Sequence, residues 1–206
     1  MKHVYNTDFW PCTPPAQTIW YVNGLPRLLA AIAIAWGFLA VPVAHAQRPK
    51  PTDYEVKAAY LYNFGRFIEW PAKVTSANTN PFTICVLGED PFGTVLDATL
   101  AGEMIGNQAV IARRISSSQM SDDCRILFIS SSEAKRLNNI IDALDRSAIL
   151  TVSEIPQFSH RRGMIQFVME GNRIRFEVNL TATQHAGLTL SSELLKVATA
   201  VRRDGD

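Results

Sequence analysis

Hydrophobic and polar positions follow three rhythms along the chain. From Tyr54 to Pro71 (YEVKAAYLYNFGRFIEWP) the spacing is helical. From Phe82 to Val152 short apolar runs alternate with helical stretches, and from Ile165 to Val178 apolar and polar residues alternate one by one. Thr52 and Glu55 stand three apart just before the first stretch, the spacing at which a hydroxyl and a carboxylate cap each other's backbone N–H groups. Trp70 precedes Pro71, which stops a helix. At 100° per residue, Glu55, Asn63, Arg66 and Glu69 share a sector of roughly 120°, leaving an apolar arc of about 240° broken only by Lys57. One sheet face cannot cover so wide an arc. Val56, Tyr60, Phe64 and Phe67 form one half of it, and Tyr54, Leu61 and Ile68 the other. Whichever half meets a sheet, the other needs a different partner; Tyr62 and Trp70 project even from the polar sector. Two readings stand: a further helix of the same domain, because apolar stripes usually mean core, or a patch for another protein, because exposed apolar surface marks interfaces.

The polar segment AKVTSANTN reads as a surface loop. Phe82–Leu87 (FTICVL), bounded by Pro81 and Gly88, is a buried strand. Asp90 and Pro91 are suited to an N-cap and first helical position, opening a short helix to about Leu100. Gln108–Ile115 and Arg125–Ile129 are the next strands. Ser130 and Glu133 repeat the capping spacing ahead of Leu137, Ile140, Ile141 and Leu144, and residues 148–152 make a fourth strand. Buried strands alternating with helices predict a mostly parallel sheet covered on both faces. Residues 165–170 and 173–178, joined by Gly171-Asn172, predict an antiparallel hairpin. Ser191 or Ser192 then opens a last helix through Val201. The fold class is α/β: a three-layer αβα sandwich whose mostly parallel sheet ends in an antiparallel hairpin.

Composition changes this picture little: 206 residues, 47% hydrophobic, 19% charged and a net charge of +1 describe an ordinary globular chain. Arg113-Arg114, Arg161-Arg162 and Arg202-Arg203 are scattered, so no nucleic-acid partner is indicated. Leu28–Ala44 changes more. Its seventeen residues carry no charge, follow Arg27 and lead into Ala44-His45-Ala46. This pattern predicts a cleavable secretory signal, cut after Ala46, in preference to a membrane anchor, for which it is short and interrupted by Pro42. Met1–Pro26 is longer than a signal's basic region should be. The expected organisation is a leader, 1–46, and a single domain, 47–206. Cys12 would leave with the leader, and export would allow Cys85 and Cys124, 39 residues apart, to pair if geometry permits.

Ligands of open α/β sheets bind beyond the carboxyl ends of the strands, which directs attention to residues 88–93, 130–132 and 153–163. GEDPFGT lacks the lysine of a phosphate-binding loop, and Glu89 and Asp90 would repel phosphate. GxGxxG and GxSxG are absent. Ser130, Ser131 and Ser132 are explained by capping. His160 and His185 have no metal-like partners in the sequence. Glu154, just after a strand, is a candidate acid or base without a nameable partner. No catalytic residue, metal or cofactor is therefore expected. The loops hold instead Phe92, Ile155, Pro156 and Phe158, which suit protein recognition.

YEVKAAYLYNFGRFIEWP, FTICVLGEDPFG, RILFISSSE, ILTVSE, RGMIQFVMEGNRIRFEVNL and AGLTLSSELLKVA follow one another in an order and spacing that resembles the YfiR family of small exported repressors, over about Tyr54 to Val201. The resemblance implies a periplasmic αβα protein, a homodimer, that represses an inner-membrane diguanylate cyclase of YfiN type by binding its sensor region. An outer-membrane lipoprotein of YfiB type would relieve the repression. It also implies that Cys85 and Cys124 form one of the family's disulfides. A second pair found in one branch is replaced by Ser159 and Gln166, and the family's GGMI appears as Arg162-Gly163-Met164-Ile165. The expected contact set is Tyr60, Phe64, Phe67, Trp70, Phe92, Ile155 and Phe158, with docking favouring the inactive state of the cyclase through unequal affinity. Two competitors are a periplasmic small-molecule-binding module serving a histidine kinase or transporter, with a polar-lined pocket at the strand ends, and an enzyme with a pair of titrating groups in that cleft.

Overall fold

The computed structural model describes residues 50–72, 80–145 and 147–203. These fall within the unit Pro49–Asp206. The expected signal, its cleavage site, Cys12 and the polar loop over 73–79 lie outside the described residues.

Helix α1 (Asp53–Phe67) opens with the predicted capping box: Thr52 Oγ1 accepts from the Glu55 backbone N–H at 3.3 Å, and the Glu55 carboxylate accepts from the Thr52 N–H at 2.5 Å. The helix ends before Trp70, contrary to the sequence expectation. Ile68 turns extended and pairs with Leu190, forming the two-residue strands β1 (Ile68–Glu69) and β9 (Thr189–Leu190), and the Ser191 N–H donates to the Phe67 carbonyl at 2.9 Å. A strand partner close at hand overrides the proline stop signal further on.

The remaining strands are β2 (Phe82–Leu87), β3 (Met104–Ile105), β4 (Gln108–Ile115), β5 (Cys124–Ile129), β6 (Leu150–Ser153), β7 (Ile165–Glu170), β8 (Arg173–Asn179) and β10 (Ala200–Arg202). Among the described residues they form one sheet in the order β10-β8-β7-β6-β5-β2-β4-β3. From β4 to β7 all pairs are parallel, and β7–β8 is the predicted antiparallel hairpin, with Gly171 and Asn172 both at positive φ as its tight turn requires. Beyond the hairpin the expected last helix is present but shorter, and other elements precede and follow it. Helix α4 (Leu180–His185), β9 and helix α5 (Ser192–Val197) follow, and Val201 lies in β10, which pairs parallel with β8.

Helices cover both faces. On one, α1 and α2 (Thr94–Leu100) bury Ile84, Val86, Ile126, Phe128, Val152, Phe167 and Phe176. On the other, α3 (Leu137–Ala143) and the turn at Phe158–Arg161 bury Cys85, Leu87, Leu127 and Ile129. Strand residues facing alternate layers explain why the central strands β2 and β5 read as apolar runs, from Phe82 to Leu87 and from Ile126 to Ile129. Two predicted helix starts shift. Asp90 accepts from the Phe92 N–H at 2.8 Å in a turn of its own, so α2 begins after Gly93; Ser130 caps a 3-10 turn, Ser131–Arg136, that precedes α3.

Candidate functional site

The sheet-facing side of α1 is Lys57, Ala58, Leu61, Phe64 and Gly65, all buried. Phe64 lies between Phe167 and Phe176, with ring centroids at 6.0 and 5.1 Å. The half left over is Val56 and Tyr60, both half-buried, and Phe67, which is 39% exposed. Positions 56, 60 and 67 share one stripe of a helix. Trp70 is half-buried, its ring edge-on to Phe82 at 5.3 Å.

The rest of the expected contact surface is corrected by burial. Phe64 belongs to the core. Phe92 is wedged edge-on between Tyr54 and Phe128, at 5.4 and 4.8 Å, and plugs the space between the start of α1 and β5. Ile155 packs in the α3-side core. Phe158 turns inward because the chain crosses over it at Gly163, where any Cβ would overlap its ring; the turn is bracketed by Gln157 and Arg162, both at positive φ. Of the apolar residues in these loops, Pro156 is exposed. Tyr60, Phe67 and Trp70 are left as the expected anchors that reach the surface.

At the carboxyl end of β6 the structure supplies Glu154 with the partners that the sequence could not name. Glu154 Oε2 accepts from the Lys57 ammonium, while Oε1 accepts from the Tyr54 hydroxyl at 3.2 Å and Ser131 Oγ at 3.4 Å. The Lys57 Nζ also stands 4.4 Å from the centre of the Tyr54 ring. Burial and the Glu154 charge raise the Tyr54 phenol above its ordinary value. Both Glu154 oxygens are occupied by donors, so the group ties α1 to the sheet. Its signal in the sequence is the lone lysine inside an apolar arc, but no spacing links position 57 to 154.

Cys85 and Cys124 form a disulfide between β2 and β5, with Cα atoms 5.8 Å apart and both residues buried. Ser159 and Gln166 meet through hydrogen bonds: the Ser159 N–H and Oγ–H donate to Gln166 Oε1 at 3.1 and 3.2 Å. Arg114 from β4 reaches Asp90 and Asp97 at 2.8 and 2.7 Å and closes the GEDPFG loop against α2. A cavity of about 380 Å³ lies between α3 and α4, with Leu144, Met164, Ala182 and His185 among its walls. Met164 immediately precedes β7, which places this cavity at the amino ends of the strands, away from the carboxyl-end loops to which the α/β pattern directs attention. Among the described residues no cluster of His, Cys, Asp and Glu could hold a metal ion, and no helix is long and apolar enough to cross a membrane.

Comparison with known proteins gives a family and little beyond it. The profile of the family described as YfiR/HmsC-like matches residues 54–199. No curated protein matches. One similar solved structure is a conserved domain protein from Vibrio cholerae O1 biovar El Tor, 10% identical, TM-score 0.49, covering 72% of this chain and 60% of that one. Another is the ABC domain in complex with L-Trp from Streptococcus pneumonia, 14% identical, TM-score 0.46, covering 59% of this chain and 55% of that one. Likenesses this distant bear on neither function nor site.

Proposed function

The chain belongs to the YfiR/HmsC-like family of periplasmic regulators in cyclic di-GMP signalling, and from that premise we propose that it is a repressor that docks on the periplasmic sensor region of a YfiN-type diguanylate cyclase. The profile match over residues 54–199 carries this reading. The chain acts outside the inner membrane as the single domain 47–206, after removal of the leader behind Ala46. An outer-membrane lipoprotein of YfiB type competes for it, and it works as a homodimer.

The docking surface is the exposed edge of α1, Phe67 above all, with the half-buried Tyr60 beside it and Trp70 at its end. Support comes from the way α1 is held. Its inner side is fully used by the sheet, Glu154 fixes its first turns through Lys57, the half-buried Tyr60 leans on Phe167 and Phe176 of the hairpin, and Phe67 is left exposed beside it. Half-exposed aromatics on a rigid helix give large contact area at small entropic cost, the pattern of interface anchors. Docking lowers cyclase output only if the stripe prefers the inactive arrangement of the sensor region. The Cys85–Cys124 bond keeps the underlying sheet in one shape.

Surface plasmon resonance between this protein and the immobilised sensor region of the cognate cyclase tests the proposal. Saturable binding that weakens tenfold or more in Phe67→Asp is expected, that being the usual scale for an interface anchor. No binding by the folded wild-type chain, or equal binding by Phe67→Asp, would contradict it.

A further inference from the structure

A second cavity, at the amino ends of β2 and β5, shares Trp70 with the proposed docking surface, but its chemistry stands independently of that reading. It is an open cavity of about 420 Å³ lined by Ile68, Trp70, Phe82, Ile105, Gln108 and Arg125, with Glu69 at its rim. That volume is in the range of small-molecule sites.

Three features of its lining converge. The first is a β-bulge. Thr83 pairs with Cys124 and Ile84 with Ile126, so Arg125 is an extra residue that the β2 ladder passes over. Across the bulge Cys124 enters the core on one face of the sheet and Ile126 on the other, and Arg125 lines the cavity. Bulges recur beside binding sites because they re-aim a side chain in this way. The second is the state of that side chain: burial pushes the Arg125 guanidinium down from its usual value, with Asp123 opposing. A guanidinium stays charged at any physiological pH and carries five donors in a flat fork, so it can take a ligand's carboxylate in addition to its contacts within the protein. The third is Trp70. Its Nε1–H is buried and has no acceptor among the described residues, a rare condition that a ligand oxygen would relieve. Its ring is fixed edge-on against Phe82, and Ile105 leans in against Gly65, where a Cβ would overlap the Ile105 methyl.

We infer that this cavity binds a small amphiphilic monoanion, a carboxylate carried on an aromatic ring or a short aliphatic chain. Arg125 takes the carboxylate by paired hydrogen bonds, the geometry for which a guanidinium is preorganised. Trp70 Nε1–H donates to it as well, and Ile68, Phe82 and Ile105 receive the apolar part. The Glu69 carboxylate at the rim repels a second negative charge and selects a monocarboxylate over a phosphate.

The other tryptophans are Trp10, Trp20 and Trp36, so a chain carrying Trp10→Phe, Trp20→Phe and Trp36→Phe emits from Trp70 alone. Titration with benzoate and with hexanoate should change Trp70 emission saturably, and benzylamine should not. Arg125→Gln should weaken binding about tenfold or more, the usual loss for a charge-assisted hydrogen bond, while Arg113→Gln, outside the cavity, should leave it unchanged. If Arg125→Gln fails to fold, Trp70→Phe measured by calorimetry decides: it keeps a ring, removes the donor and should bind several-fold more weakly. No saturable response to either carboxylate, an equal response to benzylamine, or unweakened binding by the folded Arg125→Gln or Trp70→Phe chain would overturn the inference.

Discussion

Lys57 shows how one side chain decides what the rest of a helix is free to do. In the sequence it interrupts an apolar arc; in the fold it is buried, and its ammonium meets a carboxylate from a strand end. Removing one member of such a pair leaves a charge in a poorly hydrated place. Lys57→Met should therefore cost about 3 kcal/mol in denaturant unfolding, near the low end for buried pairs because the Glu154 side chain keeps 20% of its exposure. Lys57→Met together with Glu154→Leu should recover most of that loss, and equal losses in the single and double variants would show that the pair does not hold α1. Arg114 gives a prediction in pH. Its hydrogen bond keeps the Asp97 carboxyl below the usual carboxylate range. A folded value below the unfolded one means that the stability is present above the unfolded value, near about 3.9, and is lost as pH falls through the folded value. Asp97 is half exposed, so the contribution is small. Melting temperatures taken between about pH 5 and pH 2 should fall less steeply in Arg114→Gln than in the wild type. The candidate residues are only partly legible in the sequence for a reason of the same kind. Helical spacing shows that α1 has more apolar surface than one sheet face uses, but not which half turns inward. A loop position predicts exposure for Phe92, Ile155 and Phe158, yet each has a specific hole to fill: against Phe128, in the α3-side core, and beneath Gly163.

Elements are legible where their signal is local. The apolar runs of β2 and β5 and the Gly171-Asn172 turn state their structure within a few residues. The elements that sequence hides are made by contact between distant segments. β1 and β9 are two residues each, too short to carry a period, and exist because Ile68 and Leu190 meet. β10 lies where the last helix is expected to continue and forms because β8 offers an edge to Ala200–Arg202. The disulfide belongs to this scale, since it ties β2 to β5 across a separation of 39 residues. Closing a loop of that size is worth about 4 kcal/mol in the chain-entropy account. Replacing both Cys85 and Cys124 by serine should lower unfolding free energy by that order under oxidising conditions, measured by urea titration; an unchanged midpoint would show that the bond does not constrain the sheet.

At the scale of the whole molecule, the strands, helices and ion pairs build a rigid two-faced platform, and α1 lies on it with its inner side spent, Tyr60 half-buried against the hairpin and Phe67 exposed at the edge. The family to which the chain belongs gives that stripe a setting, the periplasmic control of cyclic di-GMP. The most direct measurement is intracellular cyclic di-GMP in cells that hold the cognate cyclase and lack this gene, with the gene returned as wild type or as Phe67→Asp of unchanged melting temperature. Repression through the α1 stripe predicts a high level without the gene, a low one with the wild type, and a level that stays high with Phe67→Asp. No rise on deletion, or full repression by Phe67→Asp, would contradict it.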